Sequence, residues 1–159
     1  MENLSIKEFC ELHGACTDGK EWAIANNKTM DEVWNTSKPE WLVWIATRPN
    51  VLTEKELILF SCFCVRRVWH LLDDEGSKNA VVVAEKYANG EATKDELSAA
   101  AYAAANAAYA ADAAACAARA AYAADAAACA ARAAADDAER QAQAVYLREN
   151  TKPNFKGGK

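Results

Sequence analysis

Six cysteines and two histidines carry the widest chemical range in this 159-residue chain. Cys10, His13 and Cys16 could offer two thiolates and an imidazole to a metal, and Cys62, Cys64 and His70 could add ligands. Zinc sites are ordinarily written as closely paired Cys-x-x-Cys or His-x-x-x-His modules, which these spacings do not form. Gly14 is expected to separate Cys16 from the helix that carries Cys10 and His13, and Cys62 and Cys64 fall roughly 200° apart on a helix, so they share no face. The reading is no metal and no cofactor. With His13 and His70 the only imidazoles, acid–base chemistry would fall to carboxylates. Asp73, Asp74 and Glu75 form a cluster, which reads as a solvated turn running to Ser77. No Ser/His/Asp or Cys/His arrangement, phosphate loop or metalloprotease motif is written in the chain, so the sequence reads as a protein that is not an enzyme.

The other polar groups with a suggestive spacing lie in an alanine-rich stretch, 93–148. Ala107–Arg119, AAYAADAAACAAR, recurs unchanged as Ala120–Arg132. Alanine has the highest intrinsic helix propensity, and no glycine or proline interrupts Ser98–Gln143. One long helix is expected, opened by the capping box Thr93-Lys-Asp-Glu96 and on the order of 80 Å long at ~1.5 Å per residue. The repeat step leaves its two copies roughly 220° apart at ~3.6 residues per turn. Tyr102, Tyr109 and Cys116 then form one stripe, and Tyr122 and Cys129 another on nearly the opposite side. One stripe can pack on the rest of the chain. The other needs a partner protein, a second copy of this chain, or a break of the helix near Ala120.

Charges within the repeat sharpen this. Arg132 with Asp136, and Asp136 with Arg140, fall at i, i+4 and support the helix by ~0.2–0.5 kcal/mol each. Asp112 and Arg119 have no opposite charge one turn away. Tyr109, Asp112, Arg119, Tyr122, Asp125 and Arg132 are therefore the candidate partner-contact set, with tyrosines as anchors and Arg and Asp for orientation.

Further elements are marked by local helix-start signals. Ser5-Ile-Lys-Glu8, Asp18-Gly-Lys-Glu21, Thr29-Met-Asp-Glu32, Ser37-Lys-Pro-Glu40 and Thr53-Glu-Lys-Glu56 each combine a capping residue with an acid three positions on. Gly14, Asn26-Asn27, Arg48-Pro49 and Asn89-Gly90 supply stops. The helix after Thr53 is apolar on all sides, which predicts a central position. Asn79–Tyr87 has β-branched residues but helical spacing, and reads as a helix. The expected fold is all-α, a bundle of short helices around a central apolar helix with a long alanine-rich C-terminal helix. It forms one domain over 1–149, followed by a flexible tail, 150–159, containing proline, glycine and lysine.

The net charge of -5 argues against direct nucleic-acid binding, which needs clustered Lys and Arg. The segment Leu57–Leu72 carries Arg66, Arg67 and His70, so no membrane span is expected. Met1–Glu11 reads as an amphipathic helix and not a signal peptide. The expectation is a cytoplasmic protein whose cysteines are buried small hydrophobes, not disulfides.

Cys16 with Trp22, Asp31-Glu-Val-Trp34, Trp41-Leu-Val-Trp44, the cysteine-containing helix ending in Arg66, and Tyr87-Ala-Asn-Gly-Glu-Ala-Thr-Lys-Asp-Glu-Leu97 leading into the alanine-rich helix together resemble the putative immunity-protein family of bacteria and their phages. The resemblance covers about Cys16 to Arg148. It implies a protein that binds and neutralises a toxin, and brings no catalytic residues with it. The duplicated unit and the lysine-containing tail depart from the family pattern. The function expected is a non-enzymatic inhibitor that occludes a toxin or nuclease. Alternatives are a phage-encoded inhibitor of a host defence complex, resembling the anti-CRISPR proteins in role, and a self-assembling or ice-binding helix protein, with a homodimer seam along the long helix.

Overall fold

A computed structural model of the protein describes residues 3–67, 69, 75–102 and 126–156, with backbone alone for 126–136. Among the described residues every regular element is helical, and the one β interaction is an isolated antiparallel bridge between Asn3 and Lys156. The elements are α1 (Ile6–His13), α2 (Thr17–Asn26), α3 (Met30–Thr36), α4 (Pro39–Ala46), α5 (Glu54–Arg67), α6 (Glu75–Ala88), α7 (94–102) and α8 (Ala126–Asn150). The fold class is all-α. Whether α7 and α8 are one continuous helix, and whether it breaks near Ala120, concerns 103–125, outside the described residues.

Local capping accounts for most of these starts. Ser5 and Glu8 exchange hydrogen bonds at the head of α1: the Glu8 N–H donates to the Ser5 hydroxyl at 3.3 Å, and the Ser5 N–H to the Glu8 carboxylate at 2.8 Å. Gly14 closes the helix at φ 66°, a conformation that favours glycine. The Thr53–Glu56 and Thr93–Glu96 boxes form in the same way. In α3 the Thr29 hydroxyl caps Glu32 as expected, but the Glu32 carboxylate reaches one residue further back, to the N–H of Lys28 at 2.6 Å.

Three starts differ from the sequence reading. Asp18 is not the cap of α2; the helix begins at Thr17, capped by Cys16 without a side-chain bond, and Asp18 lies in the first turn, where its charge complements the helix dipole. Ser37 is not the cap of α4; it ends α3, and Lys38 precedes Pro39, which occupies the first position of α4. Glu75, Gly76 and Ser77 belong to the first turn of α6, not to a turn before it, with Lys78 bonded to Glu75 at 2.8 Å. Asp73 and Asp74 lie outside the described residues. α6 is a helix, as its spacing predicts, and Gly90 follows it at φ 79°.

The sequence suggests one domain over 1–149, whereas the chain divides into two compact units, Met1–Leu57 with Ala138–Lys159, and Ile58–Asp137. The first unit closes its own core. Phe9 of α1, Leu42 of α4 and Leu147 of α8 are its most completely buried large side chains. In α5, the helix expected to be central, Phe60 and Cys62 are buried and Leu57, Ile58, Leu59 and Phe63 are half-covered.

The flexible tail is also corrected for 151–156. Phe155 is 2% exposed and packs edge-on against Phe9 and Trp34, with ring centroids at 5.7 and 6.1 Å. Its carbonyl accepts the Leu4 N–H at 2.9 Å, the Asn154 N–H donates to Val51 at 2.7 Å, and the Lys152 N–H donates to Glu56 at 2.8 Å. One buried ring and a row of backbone bonds hold a segment whose composition reads as mobile.

In the second unit, Arg66 of α5 grips Glu85 of α6 through two nitrogens, at 2.9 and 2.6 Å. The Cys62 thiol faces the Val81 carbonyl at 3.8 Å. No helix among the described residues is long and apolar enough to cross a membrane.

Candidate functional site

The short helices α1 to α4 carry four of the five tryptophans, Trp22, Trp34, Trp41 and Trp44. Helices of seven to ten residues cannot bury four indoles completely. Trp34 is buried, and the other three remain half-exposed around a cavity of about 350 Å³. Phe9, Met30, Val33 and Ile45 give the cavity an apolar floor. Trp22 and Trp41 lie with centroids 5.1 Å apart at a tilt of 49°, so the two rings brace each other. Gly19 of α2 makes the close approach to this pair: a Cβ there would meet the Cys16 sulfur at 3.2 Å and the Trp41 ring at 3.7 Å.

Cations already cover part of the aromatic surface. The Lys38 ammonium lies 4.3 Å from the centre of the Trp41 ring, and the Arg48 guanidinium 4.8 Å from that of Trp44. Glu40 is the one ionised side chain in the lining among the described residues; it is exposed, with Arg140 at 3.9 Å.

Ser37 also lines the cavity. It is 2% exposed, and its hydroxyl, itself almost without accessible surface, has no hydrogen-bond partner among the described residues. Its backbone is fully engaged: the N–H donates to Val33 at 2.9 Å, and the carbonyl accepts from Arg148 at 2.6 Å. Leaving a buried hydroxyl unpaired costs about 1–3 kcal/mol.

The residues considered as metal ligands are dispersed. Cys10 lines the cavity, where burial raises its thiol pKa and keeps it protonated, the nearby Lys20 charge opposing this. His13 packs against Phe9 at 4.5 Å and borders a separate shallow depression; burial and then the charge of Arg48 lower its pKa and favour the neutral imidazole. Cys16 is exposed, contrary to the expectation that the cysteines are buried, because it caps α2 at the surface. Cys62 is buried and Cys64 half-buried, on different faces of α5. No group of three or more His, Cys, Asp and Glu side chains among the described residues is arranged to hold a metal ion.

Of the contact set read from the repeat, Tyr109, Asp112, Arg119, Tyr122 and Asp125 lie outside the described residues, as do His70 and Cys116. Arg132 is within α8, with its backbone alone described. Tyr102, which opens the first stripe, is described, and its side chain is 73% exposed on α7.

Sequence reasoning read Ser37 as a cap and drew no site from the tryptophans, and so missed the cavity. The available signal was the density of indoles between 22 and 44, more than such short helices can seal. No family model matches the chain, and no curated protein or solved structure matches it.

Proposed function

We propose that the protein is a non-enzymatic binding protein that neutralises a toxin or nuclease by covering it, with the alanine-rich segment as its contact element. In this reading 93–148 forms one long helix beside a bundle of short ones, and the protein works in the cytoplasm. The observation that carries it is Tyr102, a large aromatic ring left 73% exposed at the described start of that segment. On a helix of alanines a partner backbone can approach closely, and exposed tyrosines are the side chains that anchor such contacts. Tyr109 continues the stripe, and Asp112, Arg119, Tyr122, Asp125 and Arg132 supply the remaining contacts. The resemblance to the immunity family and the net charge of -5 support the same reading.

Affinity capture from lysate of the native host, at low and high salt, followed by inhibition assays with the purified partner, tests the proposal. A toxin or nuclease inhibited at equimolar ratio is the expected result. Replacing Tyr122 and Arg132 together with Ala should weaken the complex without loss of helicity, and unchanged affinity would remove the alanine-rich helix from the interface. A strongly salt-sensitive complex with a nucleic-acid-handling defence assembly would favour the phage-inhibitor alternative, in which acidity occupies a basic channel. Recovery of the protein alone would favour self-assembly.

A further inference from the structure

We infer that the first unit binds a small, uncharged aromatic molecule carrying one hydrogen-bonding group, seated against Trp22, Trp41 and Trp44 and bonded to the Ser37 hydroxyl. The inference stands on different residues from the proposed inhibitor function and is independent of it.

Three observations select this ligand class. The cavity, about 350 Å³, is at the small end of the ~300–1,000 Å³ range of ligand pockets, which suits one ring or two fused rings. Its floor and walls are aromatic and aliphatic, and such a surface gains most from a flat apolar body. Ser37 lines the pocket and carries a buried hydroxyl that bonds nothing among the described residues, the kind of group that orients a ligand in an apolar pocket once its side chain turns toward it. It can donate to a ligand carbonyl or phenolic oxygen, or accept from a ligand N–H or O–H.

Charge narrows the class further. An anion would meet Glu40, and the cations nearest the cavity, Lys38, Arg48 and Arg140, already face Trp41, Trp44 and Glu40. A cation would seek the indole faces, but Lys38 already lies over Trp41 and Arg48 over Trp44. A neutral ring faces neither conflict.

Phenol, toluene, benzoate and choline, titrated into the full-length protein and followed by calorimetry and by the NMR signals of the indole N–H groups, separate the outcomes. Saturable phenol binding is expected, about tenfold tighter than toluene, the equilibrium ratio that one net buried hydrogen bond gives. Ser37→Ala should bring phenol to parity with toluene and leave toluene unchanged. Its fold should persist, because the hydroxyl it removes bonds nothing. Alkylation of Cys16, at the lip of the cavity, should be slowed by saturating phenol in peptide-resolved mass spectrometry, which gives a readout independent of Ser37. Absence of saturable phenol binding would overturn the inference, as would a phenol preference that survives in Ser37→Ala. Tighter binding of benzoate or choline would overturn the neutral class.

Discussion

The guanidinium of Arg148 donates to the carbonyl of Ser37 at 2.6 Å and to that of Trp34 at 3.3 Å, bonds that join the end of α8 to the end of α3. The last carbonyls of a helix have no partner within it, and a positive charge beside them satisfies both the bonds and the dipole. Hydrogen bonds to charged groups contribute about 1.5–3 kcal/mol, and removing the donor leaves the carbonyls wanting. Arg148→Ala is therefore expected to lower stability by about 2 kcal/mol. Arg148→Lys should recover only part of it, because one ammonium cannot reproduce the planar fork. Urea unfolding midpoints of the two variants check this, and equal midpoints for wild type and Arg148→Ala would refute the bracing role.

Phe155 is the second tie in the same unit, and its ring is shared between Phe9 and Trp34. Phe155→Ala should cost about 3–5 kcal/mol, the usual range for deleting a buried aromatic. Removing 151–159 should do at least as much harm, since the bonds to Leu4, Val51 and Glu56 go as well. Thermal unfolding of both variants measures the loss. A truncation as stable as wild type would restore the flexible-tail reading.

These two ties explain what the sequence could and could not disclose. Capping boxes such as Ser5–Glu8 and Thr93–Glu96 are formed by residues three apart, so the pattern and the bonds coincide. Phe155 stands among lysines, a proline and glycines, and its burial depends on rings far away in the chain, so composition suggests mobility instead. Ser37 is a good capping residue by type, yet Pro39 fits the first position of α4 only if Lys38 precedes it. That one-residue choice turned a predicted cap into a buried, unbonded hydroxyl. The cavity is lined by that residue and by three indoles, Trp22, Trp41 and Trp44, that helices this short leave half-exposed. The alanine repeat offers the opposite case, a pattern plain in sequence whose contacts fall outside the described residues.

Acid sensitivity should be traceable to Glu56. Burial raises its pKa, but the Thr53 hydroxyl and the N–H groups of Lys152 and Thr53 outweigh it, and the carboxyl is held below its ordinary value. A lowered folded pKa adds stability that is fully present above the unfolded value of about 4.3 and is lost as pH falls through the folded value. Glu56→Gln should be less stable than wild type at neutral pH, and the gap should narrow below about pH 4. Comparing the two proteins cancels the same-sign contributions of Glu8, Glu11, Glu85 and Glu96. A gap independent of pH would mean that the charge of Glu56 is not what holds the box and Lys152 together.

In the second unit the pair to test is Arg66 with Glu85. The contact is two-pronged, and the same guanidinium lies 4.1 Å from the centre of the Trp69 ring, so one side chain serves an ion pair and a cation–π contact together. Both partners are about a third exposed, at 39% and 30%, which confines the ion pair to the ~0–1 kcal/mol of surface bridges. A double-mutant cycle between Arg66→Ala and Glu85→Ala should return a coupling in that range, falling with added salt. Arg66→Lys should lose most of it, since an ammonium cannot face Trp69 and grip both carboxylate oxygens at once. A salt-independent coupling would point to packing of the Arg66 stem as the dominant contribution, and full retention in Arg66→Lys would show that geometry does not matter there.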